Sequence, residues 1–121
     1  MSRVLWFHRH WFYVAILATA IVGLWGLGLA VVRKQPGPRF LAARAVAVVT
    51  MLVQVTAGVV LYVGGMRPGN GFHVFYGVVI AVTLSLAYVY RGAMNRSPAL
   101  WYGLLLLFVM GLGLRAWANV N

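Results

Sequence analysis

The sequence predicts an all-α integral membrane protein folded as an antiparallel four-helix bundle, and three observations carry that prediction. Hydrophobic residues fill 64% of the 121 positions, against about 45 to 50% in soluble globular domains. The ten charged residues are all Lys or Arg, with no Asp or Glu, so no mixed-charge hydrated surface can be assembled. The apolar residues also fall into four runs, near 11–32, 45–66, 72–90 and 99–117. Each is about 19 to 22 residues, enough at 1.5 Å per residue to cross a hydrocarbon core of about 30 Å. The whole of 1–121 reads as one transmembrane domain.

The first run follows a basic segment, as the apolar core of a cleaved signal peptide would. It is longer than such a core, lacks a clear small-x-small cleavage site, and leads into more membrane, so a retained helix is expected. His8 and His10 fall just before it among Trp6, Phe7, Trp11, Phe12 and Tyr13, a composition suited to the headgroup region. Arg33, Lys34, Gln35, Pro36, Gly37, Pro38 and Arg39 make the first loop, rich in breakers. The second run carries Thr50 and Gln54 one turn apart, which suits hydrogen bonding across a bundle. Arg67, Pro68, Gly69, Asn70 and Gly71 form the next turn, and His73 opens the third run. Residues 91–98 form the last connection, with Ser97 as N-cap and Pro98 at the first helical position. Short connections make neighbouring helices antiparallel. Thr19, Gly23 and Gly26, then Ala43 and Ala47, then Gly111 and Gly113 offer small surfaces for close helix approach. Arg115, late in the fourth run, is placed to snorkel or to meet the helix's last carbonyls.

Counting cations orients the bundle. Arg33, Lys34, Arg39, Arg44, Arg91 and Arg96 lie on the side of loops one and three, and Arg3, Arg9, Arg67 and Arg115 on the other. Loops one and three are expected in the cytoplasm and both termini outside. Arginine outnumbers lysine nine to one, a usage that suits a GC-rich bacterial genome, so the expected location is a bacterial cytoplasmic membrane.

Composition excludes much chemistry. Without Asp or Glu there is no carboxylate acid, base, nucleophile or proton relay. Without Cys there is no thiol nucleophile or thiolate metal site. No enzyme activity is expected. Nucleic acid is not an expected partner either, because the cations sit in the gaps between apolar runs and not on one hydrated face. The expected partners are the lipid bilayer and other membrane subunits that carry acidic groups.

Polar groups at membrane depth are functional candidates by default, and the histidines stand out. Helices one and three run the same way, so His73 and either His8 or His10 lie on one side at similar depth. That suits haem iron held by His73 with His8 or His10, most simply haem b, with Gly58, Ala57 and Gly77 leaving flat space. Arg9 and Arg67 lie on that side and are candidate partners of the haem propionates; lipid phosphates and carboxylates of another subunit compete for the same arginines. Interfacial packing is the competing reading of the histidines.

His8-Arg9 at the start of a helix, a basic connection, Gln54 and Gly58 in the next helix, and His73 opening a third together resemble one half of the haem A synthase family. The resemblance covers helices one to three. It implies a four-helix bundle with a histidine pair on the outer side able to hold a haem, in agreement with the charge count. The family has a Glu closely preceding its first histidine-arginine pair, where this chain has Leu5, Trp6 and Phe7. The resemblance therefore extends to the haem-holding scaffold and not to haem hydroxylation. The chain is also similar to small uncharacterised bacterial multi-pass membrane proteins. Three expectations of function follow. The first is an accessory subunit of a respiratory or photosynthetic membrane complex. The second is a b-type haem electron-transfer module exchanging electrons with a quinone. The third is a small dimeric transporter or channel, although the membrane Glu of small multidrug exporters is missing.

Overall fold

The computed structural model describes residues 1–121 and is built from helices alone. They are α1 (Ser2–Val31), α2 (Pro38–Val63), α3 (Gly71–Val89), the single turn α4 (Arg91–Met94) and α5 (Pro98–Ala118). The four long helices are each long and apolar enough to cross a membrane. They correspond to the four apolar runs, with shifted ends. α1 begins nine residues before the apolar run, because nothing between Ser2 and Trp11 breaks a helix. His8 and His10 accordingly lie within α1 and not ahead of it. α2 begins seven residues early, with Gly37 as N-cap and Pro38 in the first turn, where a missing amide costs no helical bond. The last connection is not wholly irregular, since α4 forms inside it.

α1 and α2 end in the same hydrogen-bonded motif. Lys34 N–H donates to Leu29 C=O and Arg33 N–H to Ala30 C=O; Met66 N–H donates to Leu61 C=O and Gly65 N–H to Tyr62 C=O. The motif requires a left-handed residue after the cap. In α2 that residue is Gly65, with φ 91°, and in α1 it is Arg33, with φ 57°. Ser97 caps α5 by position but makes no side-chain bond, and Pro98 opens the helix.

The ends pair as an up-down-up-down chain requires. Gly69 N–H donates to Val120 C=O at 3.0 Å, joining loop two to the C-terminus. At the opposite end Arg44 Nη1 donates to Asn95 Oδ1 at 2.8 Å. Around the bundle α1 packs against both α2 and α5, α5 against α3, and the seam between α2 and α3 is sparse. Glycines make the α1–α5 contact intimate. A Cβ on Gly26 would stand 2.7 Å from Ala99 O, and one on Gly103 would stand 2.8 Å from Leu27 N. Gly111, by contrast, has nothing within 4 Å of a built Cβ and takes no part. Thr19, buried on the same helix as Gly23 and Gly26, returns its hydroxyl to Ala15 C=O at 2.8 Å. Ala15, Met51, Ile80, Leu84 and Val109 form the central core, and Val22, Phe40, Ala47 and Leu106 a second cluster. Leu17, Ile21 and Leu24 are 59%, 62% and 62% exposed, a face that only lipid or another apolar surface could cover at low cost.

Candidate functional site

His8 and Trp11 lie one turn apart on α1 and both reach α2. His8 Nδ1–H donates to the Gln54 backbone carbonyl at 3.1 Å, and Gln54 Nε2 returns a bond to His8 C=O at 2.9 Å. Trp11 Nε1–H donates to Thr50 C=O at 2.8 Å. Thr50 and Gln54, expected to bond across the bundle, do so through these groups, while the Thr50 hydroxyl stays within its own helix on Ala47 C=O. Gly58 lies one turn beyond Gln54, and a Cβ there would meet His8 Cε1 at 3.1 Å. The glycine lets the imidazole lie against the α2 backbone. Gln54 Oε1 is buried and has no hydrogen-bond partner.

His73 comes from the opposite corner. Asn70 caps α3 by accepting from Phe72 N–H at 2.9 Å, which seats His73 in the first turn. Its Nδ1–H donates to Ala116 C=O on α5 at 2.7 Å. The His8 and His73 ring centroids are 6.1 Å apart with an interplanar angle of 84°, so the pair bridges the bundle diagonally from α1 to α3. A carbonyl oxygen can only accept, so each Nδ1 carries a proton, and in the neutral ring that leaves the lone pair on Nε2. Such a backbone bond is also what orients a ligating histidine.

His10 does not join this pair. Two residues along a helix are about 200° apart around its axis, so His10 lies on the outer face. Its ring stacks on Trp6 at 4.2 Å, and its Nδ1–H donates to Trp6 C=O at 2.7 Å. Arg9 is exposed. Arg67 folds over the Tyr62 ring, 3.7 Å from its centroid, and donates to Tyr62 C=O. A cation expected at its own helix end instead reaches the helix that carries His73. Arg115 donates to Tyr76 Oη at 3.3 Å through Nη2, and Tyr76 sits one turn after His73 while Arg115 adjoins Ala116. The spacing of His73 and Tyr76 at i, i+3 was the available signal.

The donor set limits the chemistry. No group of three or more metal-binding side chains exists, so a structural metal site of four protein ligands is out of reach. Two neutral imidazoles suit an iron whose remaining ligands arrive with a macrocycle. The two ring centroids lie 6.1 Å apart, close enough for both imidazoles to serve one such group. Gly77, one turn beyond His73, has nothing within 4 Å of a built Cβ, and the sparse α2–α3 seam lies beside the pair. These features fit a flat group between the helices. No family model, curated protein or solved structure matches this chain.

Proposed function

We propose that this membrane protein is a b-type haem module for electron transfer, in which His8 and His73 would hold the haem iron. The diagonal pairing of two imidazoles, each with Nδ1 fixed on a carbonyl of a second helix, is the observation that carries the reading. When bound, the haem would supply one-electron redox chemistry. The chain's own residues hold and orient the ligands. Gln54 and Ala116 set the two imidazole tautomers, Gly58 keeps clear the space against which His8 lies, and Arg115 with Tyr76 brings a cation and a hydroxyl to the His73 side for a carboxylate. His8 and His73 would both be used in holding the iron, and no Asp, Glu or Cys is available beside them as an acid, base or nucleophile. The positive-inside count, six cations against four, favours the pair lying toward the outer face of a bacterial cytoplasmic membrane, where a quinone headgroup could exchange electrons with it.

A place within a larger respiratory or photosynthetic assembly is compatible with this module. It is favoured by α3, which is the least covered of the four spans and the helix that carries His73. The test is optical: full-length protein purified in mild detergent from haem-replete cells, with reduced-minus-oxidised spectra of wild type, His8→Ala, His73→Ala and His10→Ala. The reading requires a b-type band in wild type and His10→Ala only.

A further inference from the structure

At the end of the bundle away from the histidines, a cleft of about 290 Å³ opens between the C-terminal end of α1 and the start of α5. Arg33, Lys34 and Arg96 line it, and they come from two loops far apart in the sequence. We propose that this cleft binds the phosphodiester headgroup of an anionic phospholipid.

The argument begins with charge. Three cations in one cleft repel one another, and a chain with no Asp or Glu has no side-chain anion to offer them. Of the other cations at this end, Arg44 bonds Asn95 and lies 4.2 Å from the Tyr102 ring centroid, Arg91 donates to Tyr88 C=O and lies 4.2 Å from that ring's centroid, and Arg39 does not line the cleft. Arg33, Lys34 and Arg96 make no such contact and are exposed.

Backbone conformation is the second observation. α1 and α2 close with the same motif, and α2 places Gly65 at its left-handed position, the residue that conformation favours. α1 places Arg33 there, with φ 57°, at the mouth of the cleft. A backbone position suited to glycine is thus given to a cation, and the side chain is the part with something to gain.

The walls supply the third. Leu29 and Leu100 line the same cleft, Leu29 against the second core cluster and Leu100 exposed on the helix surface, so the pocket joins basic loop residues to apolar helix residues. That is the division of a phospholipid, and basic pockets between membrane helices take such headgroups. A free anion would make no use of the apolar walls.

The test uses the full chain in a neutral detergent, titrated with phosphatidylglycerol or phosphatidylcholine and read by native mass spectrometry. Wild type should retain phosphatidylglycerol in preference to phosphatidylcholine. Each basic residue near an anionic headgroup is worth roughly fivefold in affinity, so Arg33→Gly/Lys34→Gln/Arg96→Gln should bind about a hundredfold more weakly. Arg39→Gln, which removes a cation at the same end outside the cleft, should change little. Arg33→Gly alone suits the backbone, so it should fold at least as well as wild type while losing lipid. Equal retention of the two lipids, or equal loss in Arg39→Gln, overturns the proposal. Displacement of the lipid by millimolar inorganic phosphate would make the cleft a free-anion site, and displacement by an acidic peptide would make it a protein-docking site; either also overturns it.

Discussion

Gly103→Ala adds a single methyl group, and the structure sets its consequence. The new Cβ would stand 2.8 Å from Leu27 N, 3.1 Å from Gly23 O and 3.2 Å from the Gly26 carbonyl carbon. All three neighbours are backbone atoms of α1, so no side chain can rotate away and the helices must separate by some tenths of an ångström. Overpacking of this kind costs about 1–3 kcal/mol. Replacing glycine by alanine inside a helix returns up to about 1 kcal/mol, which leaves a net loss of up to about 2 kcal/mol. Gly111→Ala is the internal control. It lies on α5 two turns further along, its built Cβ meets nothing within 4 Å, and it should be neutral or gain up to about 1 kcal/mol. Reversible unfolding in mixed micelles, followed by circular dichroism, compares the two. The Gly26→Ala/Gly103→Ala double variant should lose less than the sum of its parts, because both methyls force the same separation. Equal stability of Gly103→Ala and Gly111→Ala would refute the close α1–α5 contact.

Three further outcomes follow from the site. Trp11→Phe removes the bond to Thr50 C=O while keeping an apolar ring, so unfolding in micelles should show a loss of about 0.6 to 1 kcal/mol. Gly58→Val should push the His8 ring from its seat, because even the first carbon would stand 3.1 Å from Cε1; reconstitution with haem should give a weaker or altered spectrum, while Gly28→Val, at a position with open space, leaves the spectrum unchanged. Gln54→Leu deletes one bond to His8 C=O but also the buried, unpartnered Oε1, so stability should stay within about 1 kcal/mol of wild type.

Four spans, their antiparallel order and the side shared by His8, His10 and His73 were legible because hydropathy and breakers mark membrane segments at long range. The helix ends were not, because hydropathy falls before hydrogen bonding stops. Residues 2–10 are too polar for the bilayer core but contain nothing that ends a helix. Pro38 reads as a loop residue until it is placed in a first turn. Choosing between His8 and His10 needed helical phase: once α1 extends through both, they face opposite sides, and Trp11 and Gln54 mark the inner one. Gly103 was missed although Ala99 lies four residues before it on α5; what gives that small pair its meaning is Gly23 and Gly26 across the interface, which the sequence of α5 alone does not show. Arg67 looked free for an anion because a ring one turn back, Tyr62, was not weighed as its partner, and Arg115 was read against its own helix end when Tyr76 lay opposite.

The most direct test of the central claim is the reduced-minus-oxidised spectrum of wild type and His8→Ala after reconstitution with haem. His8 is the proposed ligand that separates this account from a merely interfacial histidine cluster. A b-type band in wild type that disappears in His8→Ala, with membrane insertion and helicity unchanged, is the predicted result. A wild type that takes up no haem when haem is in excess, or a band that survives His8→Ala, would contradict the account.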